Sequence, residues 1–414
     1  MPTGRRKSHT YTPDVVDDIH YKAAIGRPRI RGYGALGMPL AFTDLTFLPA
    51  NLSRLVIDSY REPCFTDVKL GRRFARRPLE LSIPIMVAGM GYGSISKPAR
   101  MAIAKATAAL ETAYCTGEGG MIPNEREMAH KLIYQIGPGH LGVNIKDIKK
   151  ADAIELLLDT ANHGIGRYLY AEKLIPEVAE VWGVPPEIDF YAPATHMDFD
   201  DPESLALKVE ELREATDWEI PIGIKVGGRM DEMINIALAC DIDLIMIDGI
   251  QAGTPAGPDV VVENVGLPTL AALSQAIMTL RKLGKEEDVD VVVMGGIREG
   301  GDIAKCLALG ARAVSIGTAA LVAMGCQSCM LCPTGRCPAG ITTHDPELAA
   351  RFNVDQAAEN LTNFLTALTA EVQMVARSCG KTRVQNLEPE DMRSLSILTS
   401  ATTRVALAGS NKIY

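Results

Sequence analysis

The sequence predicts an α/β fold, a (β/α)8 TIM barrel, and three observations carry that prediction. Short apolar or β-branched runs alternate with helical patterns over most of the 414 residues, which is the arrangement that builds a parallel sheet. Eight such runs can be counted, the number that a closed barrel requires. They are hydrophobic almost throughout, as strands buried on both faces are. The predicted strands are residues 83–87, 112–115, 132–135, 153–158, 221–226, 244–247, 289–294 and 313–316.

The remaining segments are predicted to be additions to this barrel. We expect an N-terminal extension over residues 1–80, the barrel over 81–325, a cysteine-cluster loop over 326–345 and a helical segment over 346–414 that packs on the barrel. In the last segment Leu361, Leu365 and Leu368 share one helical stripe. A long insertion separates the fourth and fifth strands, and long loops on the carboxyl rim of a barrel usually shape its active site.

Composition and charge exclude several classes of function. Hydrophobic residues make up 47% and charged residues 22% of the chain, as in soluble globular proteins. No apolar run approaches the ~20 residues of a membrane span, and the basic start lacks the apolar segment of a secretory signal. A net charge of -9 disfavours nucleic acid as a partner. We therefore expect a cytoplasmic, oligomeric protein whose partners are small molecules and protein subunits.

Two glycine-rich turns follow the last two predicted strands. Gly295 and Gly296 come after the seventh strand, and Gly317 and Thr318 come after the eighth. In barrels these loops commonly bind a phosphate, because glycines let backbone N–H groups approach its oxygens. The alternative is that the glycines serve only tight turns.

The ends of other strands favour a flat cofactor. Ala88, Gly89 and Met90 follow the first strand and lack bulk, so a ring system could lie against their backbone. Lys225 closes the fifth strand, where a cation would stabilise the negative charge of a reduced flavin, although a rim ion pair is the simpler reading. Together with the phosphate loops, these features predict FMN.

Two further loops offer polar groups to such a site. Thr116 and Glu118 follow the second strand, and Glu118 could relay a proton or bind an amine, or be only a solvated loop residue. Gln251, Gly253 and Thr254 follow the sixth strand and offer amide donors beside a ring. The predicted catalytic residues are Lys225, Glu118 and Gln251. The predicted cofactor-binding residues are Ala88, Gly89, Met90, Thr116, Lys225, Gly253, Thr254, Gly295, Gly296, Gly317 and Thr318.

Four of the nine cysteines cluster in the pattern C-x2-C-x2-C-x4-C. Thiolates at this density suit an iron-sulfur cluster, while four thiolates could also bind a structural zinc ion. Cys326, Cys332 and Cys337 are the expected ligands, and Cys329 is either a spare or the fourth. A 3Fe-4S cluster and a 4Fe-4S cluster therefore both remain open. The cysteines begin a few residues after Gly317, so a cluster bound there would lie near the phosphate end of the flavin. This proximity suggests that the cluster delivers electrons to the flavin one at a time.

These motifs together resemble the FMN-binding synthase domain of the glutamate synthase family. The resemblance rests on AGMGYGSIS at 88–96, TGEGG at 116–120, GGI at 295–297 and the run from the cysteines into PAGITT at 338–343, and it covers roughly residue 42 to the C-terminus. Within the family the chain is most similar to the stand-alone synthase subunit of N-methylglutamate synthase. That closer likeness rests on DVKLG at 67–71, KADAIE at 150–155, CGK at 379–381 and LEPED at 387–391.

The resemblance implies reductive chemistry on a 2-oxo or 2-imino acid. Hydride would pass from N5 of reduced FMN to the imine carbon of 2-iminoglutarate or its N-methyl counterpart. Ammonia or methylamine would come from an amidotransferase-type or other partner subunit, and electrons from a donor such as ferredoxin.

One segment departs from the family pattern. Family members carry a glutamine, a lysine and several glycines after the fourth strand, where this chain reads TANHGIGR at 160–167. Arg167, Lys173 and Arg298 are the candidates to replace the missing cation. The departure keeps open an electron-transferring FMN and iron-sulfur subunit that acts on a different substrate. A third reading is an FMN-dependent isomerase or hydroxy-acid oxidase with zinc at the cysteines.

Overall fold

Eight parallel strands close into a barrel in the computed structural model, which describes residues 10, 12–30, 32–37, 40–52, 55–58, 61–158, 167–254 and 256–414. All eight predicted strands are present, with ends shifted by at most two residues. The predicted (β/α)8 barrel is therefore confirmed. We number the barrel strands β1 (Ile85–Val87), β2 (Ala113–Cys115), β3 (Lys131–Ile136), β4 (Ala153–Leu157), β5 (Ile222–Val226), β6 (Leu244–Asp248), β7 (Asp290–Met294) and β8 (Ala313–Ile316).

Strand pairing follows chain order around the whole ring. β8 returns to pair with β1, where Val314 lies opposite Ile85, and β4 pairs with β5, where Leu156 lies opposite Ile224. Side chains alternate along each strand between the interior of the barrel and the helices outside. Because both faces are covered, the strands can be apolar almost throughout.

Helices cover the outside of the barrel. The longest, Val354–Ser378, packs on the helices Lys97–Ala109 and Gly300–Ala308, which confirms the predicted C-terminal helical segment. None of the helices in the described ranges is both long and apolar enough to cross a membrane. The other α-helices are Pro13–Ile25, Glu125–Met128, Ile145–Ile148, Pro176–Trp182, Pro202–Ala215, Met230–Ala239, Asp259–Asn264, Thr269–Leu283, Thr318–Ala323, Pro346–Ala349 and Ile397–Thr403. The 3-10 helices are Phe42–Asp44, Ala171–Lys173, Cys332–Thr334, Val384–Asn386 and Pro389–Asp391.

A β-hairpin from the N-terminal extension plugs one end of the barrel. Strands Val68–Leu70 and Leu79–Leu81 pair antiparallel. Leu70 and Leu79 are fully buried in the same hydrophobic cluster as interior residues of the barrel. This end lies where the barrel strands begin, so the opposite, carboxyl end is the one left for a ligand.

Two more strand pairs lie outside the barrel. Leu45–Phe47 pairs with Met392–Ser394, which joins the N-terminal extension to the C-terminal segment. Arg167–Leu169 pairs with Phe190–Ala192 within the insertion between β4 and β5. The insertion thus has its own secondary structure and lies at the carboxyl rim.

Candidate functional site

A cavity of about 690 Å³ opens at the carboxyl end of the barrel. This volume falls within the ~300–1,000 Å³ typical of cofactor and small-molecule sites. Loops from most of the barrel strands contribute to its wall. The predicted residues found in the wall are Ala88, Gly89, Met90, Glu118, Lys225, Gln251, Gly253, Thr254, Gly295, Gly296, Gly317, Thr318 and Cys332.

Thr116 has a different position from the other predicted cofactor-binding residues. It is fully buried and does not line the cavity. Its hydroxyl donates to the Gly117 carbonyl at 2.8 Å and accepts from the Gln135 backbone N–H at 3.1 Å. Thr116 therefore joins the loop after β2 to strand β3, and this position argues for a supporting role.

A buried layer of polar side chains forms the floor of the cavity. The Lys225 ammonium lies 3.4 Å from a carboxylate oxygen of Asp248, and both side chains are 8% exposed. Gln135 donates to Glu155, which is buried deeper in the barrel. Lys225, Asp248 and Gln135 all line the cavity. The predicted cation is thus accompanied by two carboxyl groups and an amide that the sequence reasoning did not single out.

Burial and charge act in opposite directions within this layer. Burial would lower the pKa of Lys225, but the charges of Asp248 and Glu155 outweigh it, so the pKa lies above its usual value. Burial raises the pKa of both Asp248 and Glu155, more than Lys225 lowers it. Lys225 therefore keeps its charge, while the two acids hold protons more readily than exposed carboxyl groups do.

The alternation of strand side chains explains how these groups meet. Positions two apart on one strand face the same way, and Gln135, Glu155, Lys225 and Asp248 all point to the interior near the carboxyl ends of adjacent strands β3 to β6. The sequence does carry one sign of these buried acids, which is a charged residue at an interior position of an otherwise apolar strand. That signal identifies Glu155 and Asp248 once the register is known.

The loops around the floor fit tightly against each other. A Cβ atom on Gly91 would lie 2.0 Å from the Glu118 carbonyl oxygen, so the loops after β1 and β2 meet backbone to backbone. Gln251, a predicted catalytic residue, accepts from the backbone N–H and the hydroxyl of Thr269 at 2.9 and 2.7 Å. Its side-chain carbonyl therefore holds the loop after β6, so a ligand would contact Gln251 through its amide nitrogen.

The N-terminal extension also reaches the cavity, which the sequence reasoning did not foresee. Gly32, Tyr33 and Gly34 line the wall, and the Ala35 backbone N–H donates to the Ile250 carbonyl at 3.0 Å. A Cβ atom on Gly32 would lie 2.6 Å from the Cys332 sulfur. This segment therefore covers both the loop after β6 and the edge of the cysteine cluster.

The four clustered cysteines differ in their surroundings. Cys337 is buried, Cys326 and Cys332 are half-buried, and Cys329 is exposed. Burial would raise the pKa of Cys337, but hydrogen bonds from Thr342, Ile341 and Ala339 lower it overall, so its thiolate is favoured. Cys332 faces the cavity. Burial raises the pKa of Cys332, and the nearby charges of Cys326 and Cys337 add to that increase.

Lys173 is a second buried cation that lies between the cavity and the cysteines. Its ammonium donates to the backbone carbonyls of Ser94 at 2.9 Å and Cys332 at 3.1 Å. Burial lowers its pKa to about 8, although the charges of Cys332 and Cys337 partly oppose this effect. Lys173 therefore joins the loop after β1 to the cysteine segment.

Three residues are the candidates to replace the substrate-binding cation that the family pattern has and this chain lacks. The structure describes the side chains of two of them, and both already have partners. Arg298 lines the cavity, but its guanidinium is paired with Asp302 at 3.0 Å. Lys173 is committed to the carbonyls just described. Residues 159–166, the altered loop after β4, lie outside the described residues, and so does the side chain of Arg167.

Comparison of the sequence with known proteins found a matching family model and similar proteins. A model of the conserved region in glutamate synthase matches residues 38–382. A glutamate synthase large subunit-like protein of Rhizobium meliloti is 43% identical, with 99% of this chain and 97% of the relative covered. An archaeal glutamate synthase [NADPH] of Methanocaldococcus jannaschii is 37% identical, with 90% of this chain and 79% of the relative covered.

Solved structures with similar folds are more distant in sequence. A lactate oxidase of Pediococcus acidilactici superposes with a TM-score of 0.56 at 14% identity, covering 86% of this chain and 84% of that chain. A mandelate oxidase solved with a monooxide FMN adduct superposes with a TM-score of 0.52 at 18% identity, covering 83% and 86%. At these identities the likeness concerns the fold alone.

The backbone contact at Gly91 predicts a sharp effect of one methyl group. Gly91→Ala should destabilise the protein by about 1–3 kcal/mol, because the new Cβ must displace the backbone of the loop after β2. Chemical denaturation measures the loss. Gly228→Ala, after β5 on the same rim, is the matched control, since no atom lies within 4 Å of a Cβ built there. Equal stability of the two variants would refute the contact.

Proposed function

Because the chain belongs to the glutamate synthase family and is an enzyme of that type, we propose that it reduces a 2-imino acid to an amino acid with FMN and an iron-sulfur cluster. The proposed substrate is 2-iminoglutarate or its N-methyl form. The observation that carries the proposal is the composition of one cavity wall. Lys225 and the glycine loops line it together with Cys332, so groups suited to a flavin and a cluster ligand share one space.

The cavity residues fit FMN chemically. Gly295, Gly296 and Gly317 follow β7 and β8, the position at which barrels commonly hold a phosphate. Gly295 and Gly296 adopt φ values of 115° and 73°, which side-chain-bearing residues rarely adopt, so this turn depends on glycine. Lys225 would hold the part of the ring that becomes negative on reduction. The mandelate oxidase with a similar fold was solved with an FMN adduct, which is consistent with this use of the barrel.

The remaining wall residues would bind the substrate and supply its proton. When bound, FMN supplies a hydride from N5 to the imine carbon. The imine nitrogen then needs a proton, and Glu118 is the carboxyl group of the wall that lies outside the Lys225 layer. Gln251 offers its amide nitrogen to a ligand carboxylate or ring oxygen. The apolar part of the wall, with Leu157, Trp182 and Phe190, would exclude water from the reaction.

The cysteines fit an iron-sulfur cluster better than a single zinc ion. Tetrahedral zinc with bonds of about 2.3 Å would hold its sulfurs roughly 3.8 Å apart. Within the described ranges, which include all four cysteines, no three of their sulfurs lie within 4.8 Å of one another. A cluster binds each thiolate to a different iron and therefore needs a wider spacing. We assign Cys326, Cys332 and Cys337 as ligands, a set that suits a 3Fe-4S cluster, and leave the exposed Cys329 out.

The proposal includes an electron source and a nitrogen source outside this chain. The cluster would pass electrons one at a time towards the cavity past Cys332, so each amino acid formed requires two such transfers. Ammonia or methylamine would arrive from a partner subunit. A buried cation, Lys173, stands beside the cluster end of this path and would favour electron acceptance by the cluster.

The reaction itself is testable in the holoenzyme. We expect the anaerobically reduced protein to be reoxidised by 2-oxoglutarate with ammonium or methylamine, because the imine accepts two electrons, and to form one amino acid per flavin oxidised. Stopped-flow absorbance and amino-acid analysis measure this. Glu118→Gln should slow reoxidation about 100-fold or more if it donates the proton. Glu127→Gln, an exposed acid on the next helix, should not change the rate.

Two outcomes of that assay would contradict the proposal. Flavin that stays reduced in every mixture would exclude the imine reaction. Reoxidation by an added electron acceptor but not by the imine mixtures would instead indicate the electron-transferring role on a different substrate.

The ligand assignment predicts unequal effects of two cysteine substitutions. Cys332→Ser should lose cluster iron and sulfide, because it removes a ligand, and should retain FMN. Cys329→Ser should keep both, because Cys329 is exposed. Iron, sulfide and flavin analysis with EPR of the anaerobically purified proteins measures this. Equal loss of the cluster in both variants would indicate four ligands and a 4Fe-4S cluster. Unchanged iron content in Cys332→Ser would contradict the site.

A further inference from the structure

Two histidines and an aspartate converge on the carboxyl rim, outside the cavity wall. His140 lies in the loop after β3, whereas His196 and Asp198 lie in the insertion between β4 and β5. One potential ligand atom from each lies within 4.8 Å of the other two. In the part of the chain that the structure describes, no other three histidine, cysteine or acidic side chains come together in this way.

His196 is held as metal-binding histidines usually are. Its Nε2 lies 2.8 Å from the Leu157 carbonyl oxygen. A carbonyl only accepts, so Nε2 donates in this contact, and a metal ion would bind the ring through Nδ1. The ring stacks on Phe199 with 4.2 Å between centroids and is 7% exposed, which fixes its orientation. An imidazole whose second nitrogen donates to a backbone carbonyl is the common support of a metal ligand.

The other two ligands already stand at a suitable spacing. His140 Nε2 lies 3.1 Å from Asp198 Oδ1. Nitrogen and oxygen ligands at about 2.0–2.2 Å from one metal ion lie roughly 3.0–3.6 Å apart, depending on the geometry. The second oxygen of Asp198 is 2.8 Å from the Lys208 ammonium, which also contacts Glu211 at 3.0 Å. Lys208 therefore orients the carboxylate so that its first oxygen faces the histidines, and Glu211 offsets part of the lysine charge.

We propose that His140, His196 and Asp198 bind one divalent transition-metal ion, with zinc as the ion that two imidazoles and one carboxylate suit best. Water would complete the coordination. This site is separate from the cysteines and does not depend on the flavin reaction.

The metal ion would fasten the insertion to the barrel beside the cavity. Leu157, whose carbonyl oxygen accepts the hydrogen bond from His196, is also a lining residue of the cavity. Gly139 precedes His140, and a Cβ atom there would lie 3.7 Å from a carboxylate oxygen of Glu118. Metal binding would therefore hold together the loop after β3 and the insertion between β4 and β5. Residues next to these two segments form the cavity wall near Glu118.

Zinc titration of the chelator-treated holoprotein tests the proposal. We expect the wild type to bind one equivalent of Zn²⁺ more than the double variant His140→Ala/His196→Ala. His130→Ala, which removes an exposed histidine, is the matched control and should bind as the wild type does. Circular dichroism checks that the variants fold. The same number of bound ions in all three proteins would overturn the site.

Two further measurements keep the test decisive if the double variant does not fold. Asp198→Asn preserves the shape of the side chain, and losing the charged ligand should weaken zinc binding at least about 10-fold. X-ray absorption at the zinc edge of the wild type should show only nitrogen and oxygen ligands. Sulfur ligands around the bound zinc, or unchanged affinity in Asp198→Asn, would contradict the proposal.

Discussion

A single ammonium group facing two carboxyl groups in the mouth of the barrel is the constraint on which the rest of the site depends. Lys225 is buried with Asp248 at 3.4 Å and with Glu155 close behind. Buried charges are costly unless they are paired and hydrogen-bonded, so this layer cannot rearrange without leaving one of them uncompensated. Gln135 extends it to the next strand by donating to Glu155. Four neighbouring strands thereby present one fixed polar surface to the cavity.

The cavity wall above this polar layer includes segments from distant parts of the chain. The loop after β1 meets the loop after β2 at Gly91, and the segment at Gly32–Gly34 crosses to the loop after β6. Lys173 brings the insertion into contact with both Ser94 and Cys332. Because the buried floor positions these loops, the glycine turns after β7 and β8 share one cavity wall with Cys332.

The barrel was predictable because its strands carry their own signal. Eight apolar runs at barrel spacing gave the right strands, and glycines directly after β7 and β8 gave the turns at which a phosphate would bind. The cysteine spacing pointed to a cluster loop, and Cys332 does reach the cavity. Each of these features is local, so neighbouring residues are sufficient to recognise it.

The features that the sequence did not reveal depend on register or on long-range contact. In the sequence Asp248 is only the polar end of an apolar run, and its pairing with Lys225 becomes evident once the inward face of β6 is known. Thr116 reads as a loop residue with a hydroxyl for a ligand, but that hydroxyl accepts from the Gln135 backbone N–H. The hairpin that plugs the barrel, and the reach of Tyr33 to Ser328 at 2.6 Å, join residues far apart in the chain. No periodicity or spacing in a single sequence encodes such meetings.

The most direct test of the central claim is the affinity of the flavin-free protein for FMN compared with riboflavin, measured by quenching of flavin fluorescence. The account predicts that FMN binds at least about 100-fold more tightly, because hydrogen bonds to a charged phosphate contribute about 1.5–3 kcal/mol each and riboflavin makes none of them. Equal affinity for the two flavins, or no binding of either, would contradict a flavin site built on the turns after β7 and β8.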